Sequence, residues 1–261
     1  MKKGNFGKSW QAVLCSLLLL PAMALAEPGF WHASKEGRNL WILGSIHVGL
    51  DSFYPLPAPI ENAWQQADVL IVETDLNAVT PQDSQQIAAL SQLRPWVAAI
   101  TLMQQALSRA GYQADLGVDA HFTTQAARTG IPIRGLERVP EQFAYLASMG
   151  DLEDDFLQST IDQIATMQEI VPKLLQAWQA GDGPTLQKLL SEEQGSPALQ
   201  ELMERRLLKE RNHNWLPKLL AMPEKNQFLV VGALHLYGPD GVLNLLRQQG
   251  YEVQVVTDAH E

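Results

Sequence analysis

The chain has a single cysteine, Cys15, and it sits in a segment that reads as a removable leader. Without it the exported chain holds no disulfide, no Cys-ligated metal and no thiol nucleophile. Basic residues are also scarce: 19 Lys and Arg against 29 Asp and Glu give a net charge of −10. That balance excludes nucleic acid and anionic membrane surfaces as partners, since both demand Lys/Arg patches. Beyond the leader, no apolar run approaches the length that spans a bilayer, so no stable membrane insertion is expected. The sequence also lacks an HExxH helix and a CxxCH haem-attachment signature.

The leader is legible in its parts. Lys2, Lys3 and Lys8 make a positive start, Ala12 to Leu20 is nearly all apolar, Pro21 breaks the run, and Ala24-Leu25-Ala26 is an A-x-A signature. Leu14 is too large for an acylated Cys15, so cleavage after Ala26 is expected, with the periplasm as destination. Residues 27–261 then form one α/β domain of 235 residues, and losing three lysines leaves 16 basic against 29 acidic residues, net −13.

One pattern occurs twice, 188 positions apart: Leu40-Trp41-Ile42-Leu43-Gly44-Ser45-Ile46-His47 and Phe228-Leu229-Val230-Val231-Gly232-Ala233-Leu234-His235. A short apolar run bounded by Gly reads as a buried strand. Each His should then stand just past a strand's carboxyl end, where open α/β sheets gather ligands. The fold expected is two pseudo-repeated βα halves sharing a central sheet. A hairpin through Phe30–Ala33 and Leu40–Leu43 opens it, and Asp68–Glu73 is a third core strand. Helices are expected over Ala58–Ala67, Pro81–Ala110 with a break at Arg94-Pro95, and Val118–Thr129. Ile131–Glu137 reads as extended, and about 140–222 as a helical insertion or cap, punctuated at Gly181–Pro184 and Gly195–Pro197. Strand, helix Gly241–Gln249 and strand Tyr251–Val256 close the chain.

Glu73 ends the third strand, and a carboxylate there is costly unless paired or metal-bound. His47, Glu73 and His235 make a two-His, one-carboxylate set that can hold a divalent ion (Mn, Co or Zn) with an open position for water. The bland alternatives are turn-closing histidines and a Glu73 salt bridge to Arg134 or Arg211.

Six elements in order make the chain resemble the TraB/PrgY/GumN family, which is related to the Tiki metalloproteases and, more distantly, to haem-associated ChaN-like and erythromycin-esterase-like proteins. They are Gly44-Ser45-Ile46-His47, Glu73, Gly117-Val118-Asp119, Gly135-Leu136-Glu137 with Glu141-Gln142, Glu210-Arg211-Asn212, and Gly232-Ala233-Leu234-His235 running into Leu236–Gly241. Arg138 departs from the Thr often found there. The resemblance implies a paired-GxxH site between two α/β halves, assigned in the Tiki branch to metal-dependent peptide cleavage. Carried over, His47 and His235 are ligands or general base, and Glu73 is a ligand or a His-orienting acid. Arg211 would orient Glu73 or stabilise an oxyanion. Glu137, Tyr237 and Asn212 are candidate substrate contacts. Their ordinary readings are an N-terminal helix acid, packing over a turn, and a residue of a charged helix. Asp119 reads as a cap or salt-bridge partner, and Gln142 as lying along its helix.

The function expected is an exported metal-dependent hydrolase acting on a peptide or small-molecule substrate with a metal- or His-activated water. Its rivals are a non-catalytic periplasmic peptide-sequestering protein and a haem or metal carrier of ChaN-like type.

Overall fold

The structure, a computed structural model, describes residues 28–92, 94–192 and 195–257. The leader and its cleavage site lie outside the described residues. Strands β1 (Phe30–Lys35) and β2 (Arg38–Ser45) form the expected hairpin, with Lys35 opposite Arg38 across a two-residue Glu36-Gly37 turn. β3 (Val69–Thr74), β4 (Ile133–Glu137), β5 (Asn226–Gly232) and β6 (Glu252–Val255) complete one mixed sheet of order β4-β3-β5-β2-β1-β6. β2, β5, β3 and β4 run parallel, while β1 is antiparallel to β2 and β6. The two strands carrying the repeated motif are therefore neighbours, with Ser45 opposite Gly232.

The parallel strands are apolar throughout because both faces are covered. Alternate residues divide between two cores, as the two-residue period of a strand requires. Leu43, Leu70, Val72, Phe228 and Val230 face one way. They pack on Trp64 of α1 (Ala58–Trp64), Phe122 of α4 (Val118–Thr129) and Trp178 of α6 (Glu153–Gln179). Ile42, Ile71, Leu229 and Val231 face the other way, against Trp215 and Leu219 of α9 (Glu210–Ala221) and Leu243 and Leu246 of α10 (Val242–Gln248).

The helical middle is not detached from the sheet. Trp178 lies in one core and its indole N–H donates to the Gly44 carbonyl at 2.8 Å, while Trp215 lies in the other. A smaller cluster of Trp96, Met149 and Leu199 packs α3 (Pro95–Arg109) against the region around α5 (Val139–Ala147) and α8 (Pro197–Met203). α2 (Pro81–Ser91) and α3 flank the break read at Arg94-Pro95, and α7 (Gly183–Glu192) follows the stop at Gly181. Between α8 and α9 the helix widens to a π-helix over Glu204–Lys209. Among the described residues, no helix is long and apolar enough to cross a membrane.

Candidate functional site

β2, β3, β4 and β5 all present chemistry at their carboxyl ends. Glu73 and Glu137 are the penultimate residue of β3 and the last of β4; His235 sits in a 3-10 turn (Ala233–Leu236) directly after β5. His47 stands two residues past β2. Arg211 and Asn212 enter from the first turn of α9. Glu73, Glu137, Arg211, Asn212 and His235 are all buried, each with a relative exposure of 8% or less.

Arg211 is the hub. Its Nε donates to Glu137 at 3.1 Å, and its Nη2 to Glu73 at 2.5 Å and Glu137 at 2.6 Å. Its Nη1 donates to the Leu207 carbonyl at 3.2 Å and to His235 Nε2 at 3.1 Å. A guanidinium has five N–H donors, and all five are spent. The ring of Trp215 lies 4.7 Å beneath it, and the Trp215 indole donates to Glu137 at 2.9 Å. Of the two sequence alternatives for Glu73, the salt bridge to Arg211 is the one realised, whereas Arg134 pairs with Glu224 instead.

The network fixes the protonation of His235. Asn212 Nδ2 donates to the carbonyls of His235 and Asp240, so its Oδ1 is left to accept from His235 Nδ1 at 2.7 Å. Arg211 donates to the other ring nitrogen. His235 is thus neutral, protonated at Nδ1, and burial drives its pKa down to about 4 with Arg211 adding to the effect. Burial opposes the charge of Glu73, but His235, Arg211, His47 and the Gly232 N–H overcome it and hold its pKa down to about 2. Since His235 is itself neutral above about 4, Arg211, His47 and the Gly232 N–H are the causes that count at neutral pH. Burial pushes Glu137 upward, against the pull of Arg211 and Trp215.

His47 differs from the rest: 67% of its side chain is exposed, and its Nδ1 pairs with Asp119 at 3.2 Å. That hydrogen bond raises His47 to about 9 against the opposing effect of desolvation. With so much of the ring in solvent, screening tempers the shift and its upward direction is the robust part. Two glycines make the arrangement possible. A Cβ on Gly117 would come within 2.7 Å of the His47 carbonyl oxygen, so only glycine lets the start of α4 abut this loop and bring Asp119 alongside. A Cβ on Gly232 would lie 3.1 Å from Glu73 Oε1, 3.5 Å from His235 Cδ2 and 4.0 Å from His47 Nε2. His47, Glu73 and His235 therefore approach one point above β5.

A resident divalent ion does not fit these residues as they are placed. Among the described residues, no group of three or more His, Cys, Asp and Glu is arranged to hold a metal ion. The reason is chemical: the Arg211 guanidinium already occupies His235 Nε2 and one oxygen of Glu73, lone pairs that an ion would need.

Other candidates fall on both sides of their sequence readings. Glu137 and Asn212, expected as substrate contacts, are buried members of the network. Tyr237 packs edge-on against Trp31 and over Gly183. Gln142 does reach Glu73, donating at 3.3 Å. Asp119 is a salt-bridge partner, one of its two sequence readings, and the residue it pairs with is His47. Trp215 went unnoticed, although it lies four residues after Arg211 on one helix, the spacing at which side chains meet.

The sequence model of the TraB/PrgY/gumN family matches residues 29–91 and 79–255. Among curated proteins, the uncharacterized protein YbaP of Escherichia coli (strain K12) is 25% identical over 266 residues, covering 91% of this chain and 96% of its own length. The uncharacterized protein YbaP of Shigella flexneri aligns with the same identity and coverage. No solved structure matches.

Proposed function

Because the chain belongs to the TraB/PrgY/gumN family, we propose that it is an exported hydrolase of peptides in which His47 moves the proton. Glu73, Arg211 and His235 form the floor against which it works. One observation carries this reading: His47 is exposed, its Nδ1 is held by Asp119, and its Nε2 lies near the point where Glu73 and His235 meet. An imidazole oriented by a carboxylate, with its second nitrogen free, is the usual form of a general base. A water beside Nε2 gives up its proton to His47 as its oxygen attacks the substrate carbonyl. The same proton then passes to the departing amine. Asp119 favours the protonated ring throughout, so the free base gains population as pH rises.

Arg211 supports this chemistry without joining it. With all five donors spent, it holds Glu73 and His235 in place and has none left for an oxyanion. The saturated network also favours a second reading, a periplasmic peptide-binding protein whose site does no chemistry.

The test is cleavage of quenched fluorescent peptide libraries by the mature chain, in EDTA and then with Mn, Co or Zn, beside His47→Gln. Cleavage that survives EDTA and is lost in His47→Gln supports water activation by His47. Cleavage seen only with added metal overturns it in favour of a metal centre that displaces Arg211. Peptide binding without cleavage leaves the binding protein.

A further inference from the structure

Beside the buried cluster lies a cavity of about 560 Å3, set between α7, the π-helix and the loop after His235. Its wall is built from the half-buried side chains of Leu190, Met203, Leu207, Leu208, Leu234 and Tyr237. Its size and apolar lining are those of a ligand pocket rather than a packing defect. It adjoins the candidate site through two groups. Asn212 lines the cavity and fixes the ring of His235, and the Leu207 carbonyl accepts from Arg211.

Lys188, Lys209, Glu204 and Asp240 are the charged residues that line the cavity, and Lys209, Glu204 and Asp240 are paired. Lys209 lies 3.0 Å from Glu204 and 3.9 Å from Asp240, and Asp240 also takes His213 at 2.8 Å. With Lys188 and Lys209 set against Glu204 and Asp240, the rim carries no net charge to favour a charged occupant. Gln187, Ser191 and Gln200 add neutral amide and hydroxyl groups, which suit the main chain of a peptide better than a lipid tail. Met203 gives the wall a flexible, polarizable side chain that adapts to branched and aromatic groups alike.

We infer that this cavity is the subsite that receives a large apolar side chain, such as Leu, Met or Phe, from an extended peptide bound at the site. This deepens the peptide-hydrolase reading and rests on it for the word substrate, but the binding it requires is measurable without catalysis. The π-helix makes the link physical. One extra residue per turn is accommodated just before Arg211 and Asn212, so the wall of the pocket and the anchors of His235 belong to one helical segment.

The test is equilibrium binding of N-acetyl-phenylalaninamide, N-acetyl-leucinamide and N-acetyl-aspartamide to the full mature chain, followed by methyl NMR. Leu190→Trp and Met203→Trp, which fill the cavity, run alongside, with thermal melts to show that they fold. The apolar amides should bind and shift the Leu207, Leu208 and Leu234 methyls, with affinity falling about tenfold or more in either Trp variant. Equal binding of the aspartamide, or binding indifferent to both Trp variants, overturns the inference. Should both variants unfold, shifts in the wild type confined to methyls elsewhere overturn it as well. Selective binding with no cleavage of any peptide sinks the hydrolase reading and leaves the pocket standing. Cleavage with no preference for apolar residues sinks the pocket and leaves the hydrolase.

Discussion

At the scale of the residue, Arg211 and His47 divide the site between structure and chemistry. Arg211 is buried between two carboxylates, and removing it strands both in a low-dielectric interior. Arg211→Met should therefore cost about 3–5 kcal/mol in urea unfolding, the usual penalty for breaking a buried pair. Arg211→Lys should fall between the two, because a point charge cannot reproduce the fork that reaches Glu73, Glu137 and His235 together. His47 should behave differently. Its pKa is raised chiefly by Asp119, so Asp119→Asn must lower it. If His47 acts as base, the rising limb of kcat/KM against pH moves to lower pH in that variant; an unmoved limb would show that another group titrates. Gly232→Ala inserts a methyl 3.1 Å from Glu73 Oε1. The expected result is a loss of about 1–3 kcal/mol as overpacking pushes Glu73 off its partners.

At the scale of the element, the site is assembled by strand ends and helix starts that meet at the carboxyl end of the parallel strands. α4 reaches His47 only because Gly117 has no side chain, and α9 delivers two consecutive polar residues inward just after the π-helix. α6 is tied to the same end of the sheet by the bond from Trp178 to the Gly44 carbonyl. Trp178→Phe keeps the ring's bulk and removes that donor, leaving a buried carbonyl unpaired. Denaturant unfolding should register a loss of about 1–3 kcal/mol. Because Gly44 opens the first GxxH, the loop that carries His47 should also loosen, visible as faster amide exchange over residues 45–48. Unchanged exchange there would show that α6 does not support the site.

At the scale of the whole molecule, the site imprints a pH dependence on stability. His235 titrates near 6.5 unfolded and about 4 folded, so stability is lost as pH falls from about 6.5 to 4. Glu73, about 2 in the fold against 4.5 outside it, extends that loss from about 4.5 down to 2. His47 works the other way. Raised to about 9, its contribution is complete below about 6.5 and disappears as pH climbs through the folded value, though its exposure keeps the effect small. Glu137, pushed up by burial, blunts the acid limb. Thermal midpoints should peak near pH 6.5 and fall more steeply toward acid than toward base. In His235→Asn, the segment of the fall between about 6.5 and 4 should flatten.

The sequence by itself determined the local structure, because that structure is written in short-range patterns. Short apolar runs set β2, β3 and β5, the first and last of them ended by Gly; Gly and Pro punctuation set the stops at Arg94-Pro95, Gly181 and Gly195; and the repeated motif put both histidines past strand ends. It also carried the family through six ordered elements. What only the tertiary structure decided was which charges meet. The carboxylate on β3, the one on β4, the arginine on α9 and the imidazole after β5 lie 138, 74 and 24 residues apart along their hydrogen bonds. No periodicity or spacing encodes which of several carboxylates a given guanidinium will reach. Packing decides it, by placing α9 over the ends of β3, β4 and β5, and burial then makes the pairing obligatory. That placement set Arg211 against Glu73 and His235, two of the three side chains expected to ligate an ion, and it left His47 as the exposed imidazole of the pair.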